Sequence, residues 1–544
     1  MTIRVLACLS SLLLPVVAHA AEIPADPTNY QTLLPTLQPG DTLVLAPGTY
    51  PRLTIDGLHG TADAWITITG PESGDAAVVV GDSCCNTVQL YDASFVAVRN
   101  LTIDAMGQPV DAVNAKDTPS HDILIENNIM QGFPAGEQQI VGVNTKTTVW
   151  NWTVRGNRII EPGTGLYLGG SEGDTPFIAG TIEGNVVVNP VGYCMQVKHQ
   201  NDYAALPDMP AGPNATIIRH NIFIKDDRES PDGDRPNLLV GGFPDNGPGS
   251  EDRYHIYGNL LLYNPREALL QATGRVSIHD NLFVGSNAGF AALVVTPHQG
   301  KSVRSAYVYN NTVYGDGTAI AFSEAASEDD AVVGNLLLAA TGLSGPIADA
   351  RDNLEAPLAD AGQYVAMPAV MLGAMDFYPL PGAVEGSALD LSKMAGEPEF
   401  DRDYNGQAKG GLTFRGAYAG AGDDPCGPLD DVVDDCAATG GDTGGSESGD
   451  GGSDSAADSG GGSVGGSDGP GDGTAASSAG GSGDTGGSSG GSAQDEGNGG
   501  CGCNGARTRE PAWWWLALGV GLRRSRSRER TRAHRRVGVV AIRQ

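Results

Sequence analysis

The sequence predicts an all-β solenoid, a right-handed parallel β-helix with an N-terminal cap, from three observations. An Asn-centred phrase recurs through the middle of the chain, a second set of short apolar strands alternates with it, and almost no stretch carries a long helical period. The phrase reads "ILIENNIM" at Asn128, "WTVRGNRII" at Asn157, "TIEGNVVV" at Asn185, "IIRHNIFI" at Asn221, "HIYGNLLL" at Asn259, "SIHDNLFV" at Asn281, "YVYNNTVY" at Asn311 and "VVGNLLL" at Asn335. A shorter variant, "VAVRNLTI", holds Asn100. Successive copies from Asn128 lie 29, 28, 36, 38, 22, 30 and 24 residues apart. Short strands at such a period stack into coils, because no single coil can bury its apolar face alone. Asn tolerates a left-handed backbone at a corner, and stacked Asn side chains can hydrogen-bond from rung to rung.

The second set comprises 140–145, 165–170, 194–200, 237–242, 267–273 and 291–297. Two or three strands per coil with Gly at the corners give the parallel β-helix. "YQTLLPTLQPGDTLVLAPGTY" (30–50) resembles the capping helix and first rung of pectate-lyase-like proteins, and "DRDYNGQAKGGLTFRGAYAG" resembles their closing segment. A cap is needed because the first rung would otherwise expose a sheet edge. That resemblance spans about residues 25–422.

The ends are of a different character. Residues 1–21 have one early arginine, an apolar run and an Ala18-His19-Ala20 exit, which is the pattern of a secretory signal peptide cut near Ala20 or Ala21. Residues 22–422 form the predicted β-helix and 423–440 a Cys-flanked segment, in which Cys426 and Cys436 can close a small loop. Residues 441–500 are almost all Gly, Ser, Asp, Ala and Thr, a linker without the aliphatic content for a core. Residues 501–544 hold "CGC", about 12 apolar residues and an arginine run. This end is similar to the MYXO-CTERM sorting signals of myxobacterial surface proteins. The resemblance implies recognition by a sorting protease, cleavage near the cysteines and retention at the cell surface. An ordinary C-terminal membrane anchor is the alternative, and either way the expectation is an exported protein, at the surface or associated with the outer membrane, whose membrane contact runs through this segment only.

A net charge of −32 and a pI near 4.4 argue against a nucleic-acid partner, and require any acidic substrate to meet a local cationic patch. No Cys/His spacing points to zinc.

Within the repeat, "GYCMQVKHQNDY" (192–203) stands out. If Met195 and Val197 face inward, Gln196 and Lys198 face out onto one sheet. Aligning neighbouring strands on their apolar pairs places Asn144, Gly169, Gly241 and Gln271 beside Lys198, and Tyr167 and Leu239 beside Gln196. The glycines would leave a notch for a ligand chain, and Tyr167 could stack on a sugar. The two longest coils flank this strand and add "KDDRESPDGDRPN" (225–237) and "PDNGPGSEDR" (244–253). Long loops beside one strand of a repeat build binding faces. Their Asp226, Asp227, Asp232 and Asp234 are candidate Ca²⁺ ligands, set against self-pairing with Arg228, Arg235 and Arg253.

A uronate polymer is cleaved by β-elimination when a base removes the proton beside the carboxyl group and a cation neutralises that carboxylate. Lysine serves as base where burial or nearby cations lower its pKa. "MQVKHQN" resembles the lysine strand of alginate-lyase and chondroitinase-B-like β-helix enzymes. That resemblance gives Lys198 the position of the base and Asn201 the trailing amide. Gly192, Tyr193 and Cys194 stand where those enzymes carry calcium ligands, and "LLVGG" stands where they carry an arginine, leaving Arg235 at the strand entrance as the substitute. His199 is a further candidate. The paired aspartates of polygalacturonase-like proteins are lacking, which lowers hydrolysis. The expectations are therefore a uronan lyase with catalytic Lys198, Arg235 and His199 and substrate-binding Tyr167, Gln196, Asn144, Asn201 and Gln271, or a non-catalytic carbohydrate-binding or adhesive surface protein. An epimerase or hydrolase on the same fold comes third.

Overall fold

A computed structural model describes residues 20–431. Residues 1–19 of the predicted signal peptide, the predicted linker and sorting tail, and Cys436 lie outside these residues. The described chain is a parallel β-helix, right-handed as parallel crossovers are.

Each coil contributes a strand to three faces. In the coil around Asn221 these are Ala215–Arg219, Ile222–Ile224 and Leu238–Val240. The first face is a 15-stranded sheet, and the other two faces form one 21-stranded sheet. Ala215–Arg219 pairs in parallel with Thr181–Glu183 and Arg253–Tyr257. Leu238–Val240 pairs in parallel with Met195–Val197 and Leu270–Ala272. Inward residues such as Ile218, Phe223, Leu238 and Val240 are buried in one continuous core, each side chain stabilising by about 1.5–3 kcal/mol.

The asparagines form the expected ladder, running on to Asn353. The Asn221 amide nitrogen donates to Asn259 Oδ1 at 2.9 Å and to the Ile182 carbonyl, while Asn221 Oδ1 accepts from the backbone and side-chain nitrogens of Asn185. The left-handed residue, however, is the one before each ladder Asn. Asn127, Gly156, Gly184, His220, Gly258 and Asp280 all have φ between +53° and +63°. The ladder side chain needs its own backbone turned into the next strand, so the preceding residue makes the bend. Asn100 therefore belongs to the bend and not to the ladder: its φ is +57°, and it is the Leu101 backbone nitrogen that donates to Asn128 Oδ1.

At the N-terminal end, the short Tyr30–Leu33 helix and Leu34–Thr36 turn cover the first rungs, with Tyr30 and Leu34 buried. The C-terminal segment does more than close the far end. Met375, Phe377, Val384 and Tyr418 pack on the outside of the second face, against Val186, Ile222, Leu260 and Leu282. Leu389, Leu391 and Met394 pack on the first face, where Glu399 meets Arg219 at 2.7 Å and Glu397 meets His255 at 2.7 Å. The third face is bordered instead by the long loops. Among the described residues no helix is long and apolar enough to cross a membrane.

Candidate functional site

The third face carries the predicted Lys198 strand. Met195 and Val197 are buried in the core, and Lys198 points the other way: its Nζ lies 5.6 Å from the Tyr167 ring centroid. Tyr167 pairs with Gln196, which pairs with Leu239, as the alignment predicts. Lys146 approaches the same ring at 4.0 Å. Two lysine side chains, from the coils before and after that of Tyr167, thus approach one aromatic ring, whose quadrupole favours a cation.

Two predicted neighbours of Lys198 sit elsewhere. Asn144 pairs with Tyr167, and Gln271 pairs with Leu239, so both belong to the Gln196 row, two residues back. The alignment failed there because the inward pairs had to be counted from the strand ends, and Lys146 takes the place assigned to Asn144. Gly169 and Gly241 do flank Lys198, but they do not leave a notch for ligand. A Cβ on Gly241 would lie 2.3 Å from the His199 nitrogen, and one on Gly169 would lie 3.3 Å from Lys198 Cβ. The space saved by the missing side chains is filled by the protein's own backbone. Gly241→Ala is accordingly expected to push the Lys198–His199 backbone out of place and cost about 1–3 kcal/mol, which a urea midpoint measures.

The strand ends at Val197, so His199 is not bound by the alternation. It is buried, its Nδ1 has no hydrogen-bond partner, and burial, helped by the charges of Lys198 and Lys301, lowers its pKa. Gln200 and Asn201 turn away: their amides donate to the carbonyls of Phe177 and Glu172.

The long loops form the two walls. At the strand entrance, loop 225–237 reaches back across three coils, with Ser230 on Gln138 and Gln139 donating to Asp232 at 3.0 Å. Arg235 is held by the carbonyls of Asp232 and Asp234, with its guanidinium 5.8 Å from the Tyr193 ring. The four candidate calcium ligands each have a protein neighbour, two of them sharing Arg266, and Asp232 accepts from Gln139. Asp226 pairs with Arg228 at 3.0 Å and Asp227 with Arg266 at 3.2 Å, while Asp234 lies 3.9 Å from Arg266. Among the described residues the one group of three metal-capable side chains is Asp82, Cys84 and Cys85, and those cysteines are joined to each other. Cys426 is also disulfide-bonded; its predicted partner lies outside the described residues. Cys194 is a buried free thiol, pushed up to about 12 by burial. At the strand exit, Asp245 of the other loop holds Lys301 and Arg304, each at 3.0 Å.

Besides Lys146, His298 escaped the sequence reading. His298 and Lys301 bridge across a turn at Gln299 and Gly300, both with positive φ, as two-residue hairpins require. The hairpin delivers His298 to Gln271, whose Nε2 lies 3.2 Å from Nδ1. An amide nitrogen only donates, so Nδ1 accepts and the proton resides on Nε2. Burial, and then the charges of Lys198, His199 and Arg235, push its pKa down to about 4. The "PHQG" turn was the available signal.

Both histidines have folded pKa values below the unfolded value near 6.5, so the unfolded chain binds more protons. Their contribution to stability is complete above about pH 6.5 and is lost as pH falls toward 4. The urea midpoint of His298→Gln is expected to fall less steeply than that of the wild type across this window.

No family model matches the sequence, and no curated protein matches it. Solved structures do resemble it. An alginate lyase from Paenibacillus sp. str. FPU-7 shares 16% identity at a TM-score of 0.38, covering 62% of this chain and 99% of that one. The A-module of an Azotobacter vinelandii mannuronan C-5 epimerase shares 14% at 0.37, covering 58% and 91%. Pectate lyase Pel9A shares 12% at 0.37, covering 64% and 84%. These likenesses are distant, and no residue role in this chain rests on them.

Proposed function

We propose that this chain acts on an anionic polysaccharide in the third-face cleft, as a uronan lyase with Lys198 as base. The observation that carries the proposal is the gathering of Lys198, Lys146, His199, His298 and Arg235 about the Tyr167–Gln271 row in a protein of net charge −32. A lysine base requires burial or neighbouring cations, and Lys198 has both, at 6% exposure. In the proposed step Lys198 removes the proton beside the uronate carboxyl, a C=C bond forms, the glycosidic C–O bond breaks, and the new ammonium returns the proton to the leaving oxygen. Arg235 and neutral His298 supply charge and a hydrogen bond to the carboxylate, while Tyr167 and Gln196 receive the sugar. Asn144 and Gln271 line the same row.

A second proposal is a non-catalytic carbohydrate-binding or adhesive protein, favoured by the buried amides of Gln89, Asn114 and Asn144 continuing the Tyr167 row. Incubation with a panel of uronans separates the two. Absorbing unsaturated products support the lyase, whereas binding without any such product on any uronan rejects it. Repeating the binding with a chelator tests the proposed Ca²⁺ role of Asp226, Asp227, Asp232 and Asp234. Export, and attachment at the cell surface through residues 501–544 after sorting cleavage, belong to the same proposal. They are checked by fractionating cells and sequencing the mature ends.

A further inference from the structure

Lys198 is the end of a file. Ala115 pairs with Thr145, Thr145 with Leu168, and Leu168 with Val197. All four are fully buried on the inward side, so the residue after each lies on the outward side. Those residues are Lys116, Lys146, Gly169 and Lys198, one from each of four successive coils. The backbone ladder continues through them, with Lys146 N donating to the Ala115 carbonyl at 2.7 Å and Lys198 N to the Leu168 carbonyl at 2.8 Å. Rungs repeat at about 4.8 Å, close to the length of one pyranose unit. Lys116 and Lys146 are therefore one sugar apart, and Lys146 and Lys198 two. The gap at Gly169 is partly bridged by Lys146, whose Nζ leans onto Tyr167 and to within 3.2 Å of Ser171 Oγ.

The row beside this file is made of amides. Gln89, Asn114 and Asn144 lead to Tyr167 and Gln196. The buried carboxylate of Asp111 accepts from the Asn114 amide at 2.6 Å and the Asn144 amide at 2.8 Å, which fixes both side chains. Asn144 Oδ1 is buried with no hydrogen-bond partner. In the other direction the file holds no cation: Gly241, Thr273 and Thr296 follow. Lys301, on that side, is already paired with Asp245.

We propose that Lys116 and Lys146 are carboxylate subsites for a polymer bearing an acid on each sugar, laid across the coils from the base Lys198 toward the N-terminal end. The proposal rests on the cleft taking an anionic glycan, and deepens that reading by giving the ligand a direction and a minimum length. Charge-assisted contacts at regular spacing add up along a polymer, so affinity should rise with chain length until the file is filled.

The test is calorimetric titration of the full chain with oligogalacturonates and oligomannuronates from dimer to octamer. Wild type is expected to bind long oligomers more tightly than dimers. Lys146→Gln should weaken hexamer binding about tenfold, a loss of one charge contact, while leaving the dimer unchanged; Lys146→Arg should restore it. Lys116→Gln should act on still longer chains only. Equal weakening of dimer and hexamer, or no effect on either, overturns the file. Length-dependent binding without unsaturated product keeps the file and rejects the elimination reading. Unsaturated product with length-independent binding does the reverse.

Discussion

Lys198→Ala is expected to lower the yield of unsaturated uronate product by about 10²–10⁴, the range a positioned general base contributes. The residue has few alternatives at its position. It is nearly buried, lies between Gly169 and Gly241, and shares the Tyr167 ring with Lys146. Lys146 stands one rung beyond Gly169 and cannot take over the same proton. If Lys198 acts as base, it meets the substrate as the neutral amine, so the loss falls on kcat and binding of long oligomers is little changed. Equal turnover in Lys198→Ala and wild type would end the assignment. Lys198→Arg sharpens the result, because it keeps a long polar side chain but holds its proton at every working pH: it should bind and not cleave.

The second large effect concerns the scaffold. Asn221→Ala is expected to lower stability by about 3–5 kcal/mol, read from the urea midpoint at constant slope. The side chain is fully buried. Its removal strands the Asn185 backbone nitrogen and takes one bond each, worth about 0.5–1.5 kcal/mol, from Asn185 Nδ2, the Ile182 and Arg219 carbonyls and Asn259 Oδ1. The buried orphan costs about 1–3 kcal/mol, with some relief as the corner relaxes. Asn100→Ala is the control. It changes a bend residue at φ +57° whose amide reaches one partner, Thr69 Oγ1 at 3.2 Å, and should cost about 1–2 kcal/mol. Similar losses from the two substitutions would show that the bend, and not the ladder, carries the corner.

The column of coils was legible because its causes are local: strand alternation and a turn residue that repeats with the coil. The face carrying Lys198 followed from the same alternation, as did its pairing with Gly169 and the match of Tyr167 with Gln196. What the pattern could not show was where each strand stops relative to its neighbour. That is why Asn144 and Gln271 were placed beside Lys198, while Lys146, which occupies the row, was passed over. His298 was missed for a related reason. It stands on a hairpin outside the repeat, and its approach to Gln271 depends on a turn whose direction no periodicity encodes. The aspartates of loop 225–237 read more readily as arginine partners than as cation ligands, and the distances set Asp226 beside Arg228, with Asp227 and Asp234 both beside Arg266.

The C-terminal strap gives the column a sense of scale. Rungs before Asn128 touch the rungs next to them through the backbone ladder and the Asn128 bond, and loop 225–237 reaches back as far as Gln138, so a whole turn inserted upstream of Asn128 would lengthen the cleft by one step and leave the rest in phase. From Val186 to Leu338 the same stretch of chain, 375–418, is matched to many rungs at once, like a ruler laid along a stack. An added turn in that region would slide every mark past its rung. Designed extensions of the groove therefore belong upstream of Asn128, on the side toward which the file of lysines runs.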